Sequence, residues 1–146
     1  MEFTVDELLA HSGLMMLLDN IVTFDEQSMV CEVVVRDDGL FGGNGEELSA
    51  WIGLEYMAQT IAAHSSMMDK LAGRRSYFGY LLGTRSYTTN QSSFRVGARL
   101  TVRAEKVIDE QGLGIYTCQI TAPDLLVQAN LNVYQPSSEK NRVVID

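Results

Sequence analysis

The amino-acid sequence predicts an α+β domain in which a curved antiparallel sheet covers one long helix, on three observations. Strand-like segments flank a single stretch long enough for a substantial helix, two before it and four after it. That stretch is apolar or small on nearly every face, as expected of a helix enclosed by sheet. The chain has 146 residues, which support one core, whereas two domains of about 70 residues each would be short of interior. A single domain over residues 1–136 is expected, followed by a polar, fraying tail over 137–146.

Taken in order, residues 5–9 make one helical turn, and residues 14–24 and 28–35 read as two strands with Asp25-Glu26-Gln27 as their hairpin turn. In the second strand Cys31, Val33 and Val35 alternate with Glu32 and Val34, the period of a sheet with one face inward. A loop rich in glycine and acid, 37–47, leads into the helix at 48–71, with Ser49 as its expected N-cap. Beyond Gly73 strand character returns at 77–88, 100–108, 114–121 and 125–134. Gln111-Gly112 and Ala122-Pro123-Asp124 have the chemistry of tight turns between the last three.

Composition narrows the class of function. With 46% apolar and 21% charged residues the chain is not disordered, and its longest apolar run, Leu14 to Leu18, is too short to cross a bilayer. The acidic opening residues do not suit a secretory leader, and Cys31 and Cys118 are far apart with no metal-ligand spacing, so a cytoplasmic location is expected. A net charge of −8 argues against nucleic acid as the main ligand. Charge is unevenly distributed: Lys70, Arg74, Arg75, Arg85, Arg95, Arg99, Arg103 and Lys106 stand against one acid, Glu105, within residues 70–106. Either this region meets an anionic partner, or its arginines decorate solvent-facing strands and turns; the sequence favours neither.

The candidate chemistry centres on Glu55, the only charged residue between Glu47 and Asp69 and thus a lone carboxylate in apolar surroundings. Desolvation and the positive helix end act on it in opposite directions, and either outcome leaves a group able to exchange a proton. Gln59, one turn later on the same face, is placed to hydrogen-bond it and fix its rotamer. His64 lies nine residues beyond Glu55, and steps of about 100° each turn it to the opposite side, where a helix-surface or partner-contact role is expected. His11, in the loop Ala10-His11-Ser12-Gly13, is either presented at the mouth of a cleft or bonded to local backbone. Neither cysteine has a histidine or basic neighbour to activate it, and the methionines, among them Met15, Met16, Met57, Met67 and Met68, are expected mainly to fill core.

Four stretches in order resemble one family. Leu9-Ala10-His11 with Leu14, Leu17, Leu18 and Asp19 is similar to an opening in which Leu-Pro-His is followed eight residues later by Asp. Glu55-Tyr56-Met57-Ala58-Gln59 resembles a central-helix Glu-Ala-Met-Ala-Gln. Gly79-Tyr80-Leu81-Leu82-Gly83-Thr84-Arg85 and Asn130-Leu131-Asn132-Val133-Tyr134-Gln135-Pro136 complete the set. Together they resemble the hotdog-fold 3-hydroxyacyl-[acyl carrier protein] dehydratases, in particular the aryl polyene branch. The resemblance implies the hotdog fold, with its helix acid catalytic. In the housekeeping members the loop before the helix reads Gly-His-Phe-Pro-Gly and its His is the base; here it reads Gly39-Leu40-Phe41-Gly42-Gly43. With Leu40 in the place of that imidazole, the resemblance implies His11 as base and Glu55 as acid.

On that reading a backbone N–H at Gly43 is expected to meet the thioester carbonyl, and Gln59 supports the acid. Carrier protein is the expected partner, docking on Lys70, Arg74, Arg75, Arg85, Arg95 and Arg99. The resemblance further implies a homodimer or a heteromer with a second hotdog subunit. No metal and no organic cofactor are expected beyond the phosphopantetheine that carries the substrate. Related hotdog domains make an acyl thioesterase the rival enzyme, and a non-catalytic subunit of a dehydratase heteromer is the rival outside catalysis.

Overall fold

The computed structural model describes residues 3–9, 16–37, 43–73 and 80–134. Its elements run α1 (Val5–Leu9), β1 (Asn20–Phe24), β2 (Ser28–Val34), β3 (Glu47–Ser49), α2 (Ile52–Leu71), β4 (Tyr80–Thr89), β5 (Ser93–Arg95), β6 (Arg99–Glu110), β7 (Leu113–Ala122) and β8 (Leu125–Tyr134). Six strands form one antiparallel sheet in the order β1-β2-β6-β7-β8-β4, and β3 pairs β5 in a separate ribbon. The long helix lies against the inner face of the large sheet, giving the hotdog architecture expected.

Alternation within each strand builds that face. Met29, Cys31, Val33 and Val35 from β2 and its end, Leu100, Val102 and Ala104 from β6, Tyr116, Cys118 and Ile120 from β7, and Val127, Ala129, Leu131 and Val133 from β8 are all buried. Opposite them α2 buries Ile52, Tyr56, Met57, Gln59, Thr60, Ile61, Ala63, His64 and Met67, spread around its circumference. Met57 and Met67 are core residues, as composition suggested, whereas Met16 is exposed. Both cysteine thiols are buried, and desolvation pushes each up to about 12.

The turns follow their residue chemistry. Asp25 Oδ1 accepts from the Gln27 and Ser28 amides, each at 2.8 Å, and these bonds hold its carboxyl below the usual range. Gln111 (φ 51°) and Gly112 (φ 87°) both take positive φ, the geometry of a two-residue hairpin turn between β6 and β7. Thr4 and Glu7 cap α1 reciprocally: Thr4 Oγ1 accepts from the Glu7 amide at 3.2 Å and Glu7 Oε1 from the Thr4 amide at 3.3 Å.

Several expected boundaries shift. The helix begins at Ile52, because Leu48 belongs to β3, where it pairs with Phe94 and both are buried. Ser49 is therefore not its cap; Trp51 precedes the helix in helical conformation without a side-chain cap, and Ser49 Oγ accepts from the Trp51 amide at 3.4 Å. The first strand is shorter than expected, β1 starting at Asn20. His64 is not a surface residue: it faces away from Glu55 but into the sheet, fully buried. The tail over 137–146 lies outside the described residues.

Candidate active site

Glu55 stands in the first turn of α2, half-buried, the only acid in that turn. Gln59 is fully buried and bonds in two directions: its Nε2 donates to Glu55 Oε1 at 3.2 Å, and its Oε1 accepts from the Leu17 amide at 2.9 Å. The i,i+4 spacing read from sequence thus places the amide on the carboxylate and also reaches across to the chain entering β1. Nearby in sequence, Asp19 fastens that entry to β2. Its Oδ2 accepts from the Val34 amide at 2.6 Å, and its Oδ1 meets Arg36 Nη1 at 2.6 Å. His11 itself lies outside the described residues.

Gly43 opens the turn that leads into β3. A Cβ there would come within 2.2 Å of Leu48 Cδ2 and 2.6 Å of Asp37 Oδ2, so any larger residue requires these two side-chain ends to shift. Asp37 also accepts from the Gly45 amide at 2.6 Å, so one carboxylate shapes both ends of the glycine turn. Sequence reasoning passed over Asp37. The signal available was an acid placed just ahead of a run of glycines, a residue type that bonds turn amides.

The two stretches shared with the aryl polyene branch beyond the helix prove to be neighbours. Tyr80 pairs with Tyr134, Leu81 with Val133, Gly83 with Asn132 and Ser86 with Asn130 along the β4–β8 seam. Asn130 bridges three strands, donating to Ser86 Oγ at 3.2 Å and accepting from Thr117 Oγ1 at 3.1 Å. β4 closes one end of the sheet and has no strand on its other side among the described residues. Beside the start of α2, the 66% exposed Trp51 stacks on Tyr87 with ring centroids 5.2 Å apart.

Among the described residues, the basic side chains that cluster in sequence are spread over α2, β4, β5 and β6. Arg85 is exposed on β4, while Arg99 and Arg103 are on β6, three strands or about 14 Å away. Arg99 is paired with Glu32 at 3.5 Å and Arg103 with Glu105 at 3.3 Å. Lys70 sits at the C-terminal end of α2 over the Phe3 ring, at 5.8 Å, and Arg95 is exposed on β5, next to the strand that precedes the opposite helix end. Arg74 and Arg75 lie outside the described residues. Among the described residues no cluster of His, Cys, Asp or Glu is arranged to hold a metal ion, and no helix is long and apolar enough to cross a membrane.

The family profile described as ApeP dehydratase matches residues 3–144. The chain belongs to the ApeP-like dehydratase family. Its membership agrees with a solved structure, the dehydratase heterocomplex ApeI:P from Xenorhabdus doucetiae, to which it is 27% identical with a TM-score of 0.82 over 94% of each chain. More remote structures share the fold alone. The Escherichia coli PaaI protein of the phenylacetic acid degradation operon is 13% identical (TM-score 0.60, 90% of this chain and 89% of that one). A hypothetical thioesterase from Streptococcus pneumoniae, solved with coenzyme A, is 14% identical (TM-score 0.58, 81% and 88%). No curated protein matches the sequence. For an ApeP-like dehydratase, the described site supplies a helix carboxylate, an amide that orients it and a glycine turn ahead of the helix.

Proposed function

We propose that the chain removes water from 3-hydroxyacyl thioesters carried on acyl carrier protein, giving trans-2-enoyl thioesters, in aryl polyene or fatty-acid-like biosynthesis. The observation that carries this reading is the tie from Glu55 through Gln59 to Leu17, since His11 precedes Leu17 by only six residues. Neutral His11 takes the proton from C2. Protonated Glu55 gives its proton to the 3-hydroxyl, which leaves as water while the C2–C3 double bond forms; each transfer contributes roughly 10²–10⁴-fold. The Gly43 N–H and the start of α2 stabilise charge that gathers on the thioester carbonyl. No resident cofactor enters this chemistry.

Carrier protein is acidic and presents a phosphate at the base of its prosthetic arm, which suits the basic residues of 70–106. Their dispersal makes the contributions unequal, with Lys70, Arg74 and Arg75 the densest group in sequence. We further propose a second hotdog subunit along β4, a homodimer or heteromer in which the open strand edge is paired and Trp51 covered. That the 27%-identical structure is of a dehydratase heterocomplex supports the heteromeric form.

The test is a carrier-loaded assay followed by mass spectrometry, with the chain alone and with a partner subunit. His11→Ala and Glu55→Gln are each expected to abolish enoyl formation while melting like the parent protein. Full turnover by both variants would reject the assignment. Free acid as product would make it a thioesterase, and activity that resides wholly in the partner would make this chain a structural subunit.

A further inference from the structure

We propose that an exposed apolar patch on the outer face of the large sheet is the docking surface for this chain's own segment 135–146, which crosses β7 and β6 as a strap; the proposal is independent of the dehydratase reading. The face follows from register. Tyr116, Leu131 and Val133 are buried toward α2, so Ile115, Asn132 and Tyr134, their neighbours along β7 and β8, point outward. Ile108 is opposite Ile115 and Leu113 is opposite Tyr134, which puts both on that outer face, and they are exposed together with Val107. The adjoining row is polar and self-satisfied, since Thr117 donates to Asn130 and Asn130 to Ser86. A bounded apolar patch of this kind marks a contact surface.

Two observations name the occupant. The side-chain oxygen of Asn132 is buried with no donor among the described residues, and its cross-strand neighbour Gly83 has open space where a Cβ would stand. Buried polar atoms are hydrogen-bonded as a rule, so the missing donor comes from a chain laid over this row. The nearest source is the polypeptide itself, which leaves β8 at Tyr134, two residues past Asn132 and inside the patch. Segment 135–146 lies outside the described residues; it opens with Gln135-Pro136-Ser137-Ser138, suited to a reversal, and carries Val143-Val144-Ile145. Val143 is nine residues past Tyr134, a flexible span of roughly 16 Å, whereas Ile108 on β6 is two strand spacings, about 10 Å, from β8. Lys140 and Arg142 precede the apolar triplet, and Asp109 and Glu110 border the patch at the β6–β7 turn, so the two surfaces match in charge as well. The ApeP-like match runs through residue 144 and thus takes in nearly all of this segment.

The test uses trypsin on the full-length chain, with and without its partner subunit, and follows the loss of residues 141–146 after cleavage at Lys140 by intact mass. Docking slows the cut in proportion to the undocked population. Val143→Ser/Ile145→Ser on the strap and Ile108→Ser/Leu113→Ser on the patch are each expected to speed it about tenfold. The patch residues are exposed, so their substitution leaves the core intact. A parent cut as fast as both variants, or acceleration in only one of them, would overturn the proposal. A Leu113→Cys/Val143→Cys chain is expected to close its disulfide within one molecule when isotopically light and heavy chains are mixed, the native cysteines being buried. Pairing between molecules would give the patch to a second copy, protection confined to mixtures with the partner would give it to that subunit, and failure to form any disulfide would leave the strap elsewhere; each of these results overturns the assignment.

Discussion

Replacing His64 with leucine probes how the long helix is locked to the sheet. The imidazole is fully buried, with Nε2 3.0 Å from the Asp25 carbonyl oxygen and Nδ1 3.3 Å from the Tyr116 hydroxyl. A carbonyl only accepts, so Nε2 carries the hydrogen and Nδ1 accepts from Tyr116; the ring is neutral. Losing two hydrogen bonds of about 1 kcal/mol each, with some mismatch of shape, predicts a cost of about 2–3 kcal/mol and a Tm roughly 7–10 °C lower. Proton linkage adds a second signature. Burial holds His64 below its ordinary range and Lys106 adds to this, against the pull of the Asp25 carbonyl and carboxylate and the Glu26 backbone. The unfolded chain thus binds this proton more readily, so the contribution is intact above the unfolded value of about 6.5 and is lost as pH falls through it, by at most about 1.4 kcal/mol per pH unit. Urea unfolding between about pH 7.5 and 5 measures both effects, and the parent-minus-variant difference cancels the other groups. Equal pH slopes for the two proteins, or a leucine variant as stable as its parent, would refute the argument.

Gly53→Ala is expected to destabilise although alanine favours helix, because the added Cβ would lie 2.2 Å from the Tyr87 hydroxyl and 3.1 Å from Ile120 Cδ1. That hydroxyl donates to the Ala50 carbonyl at 2.5 Å; displacing it costs about 1–2 kcal/mol, read as a Tm lower by roughly 5 °C, and a raised Tm would contradict this. Cys31 and Cys118, with thiols pushed up to about 12 by burial, should react with thiol reagents only as the fold opens, at rates that climb with urea; labelling at the rate of a free thiol in native buffer would be the contrary result.

Much of this architecture was legible because each long strand carries its own inward period. The alternation of Cys31, Val33 and Val35 against Glu32 and Val34 predicted the buried face of β2, and Gln111-Gly112 predicted the turn between β6 and β7 from backbone chemistry alone. β3 and β5 were not legible, since three residues each leave one inward side chain, Leu48 and Phe94, and no period. The start of α2 was hidden for a related reason: apolar Leu48 of β3 is followed closely by Ala50 and Trp51, which lead straight into the helix. For His64, helical geometry gave the correct direction relative to Glu55 but not burial, because a helix enclosed by sheet has little outer face. Its partners, 39 and 52 positions away, have no local signature. The Glu55–Gln59 pair was visible from spacing, whereas the reach to Leu17 required the fold. Arg85, Arg95, Arg99 and Arg103 were close in sequence but lie on three different strands.

The seam between β4 and β8 has a consequence for biosynthesis of the polypeptide itself. β4 has no other strand neighbour within the described fold, yet β8 starts roughly 35 residues after β4 ends, which at about 5–20 residues per second leaves a few seconds of waiting on the ribosome. During that interval a ten-residue segment with high strand propensity has no strand partner among the described residues already synthesised. Chaperone capture, or synthesis close to a companion subunit, would protect it, so yield from cells should depend on what is translated alongside.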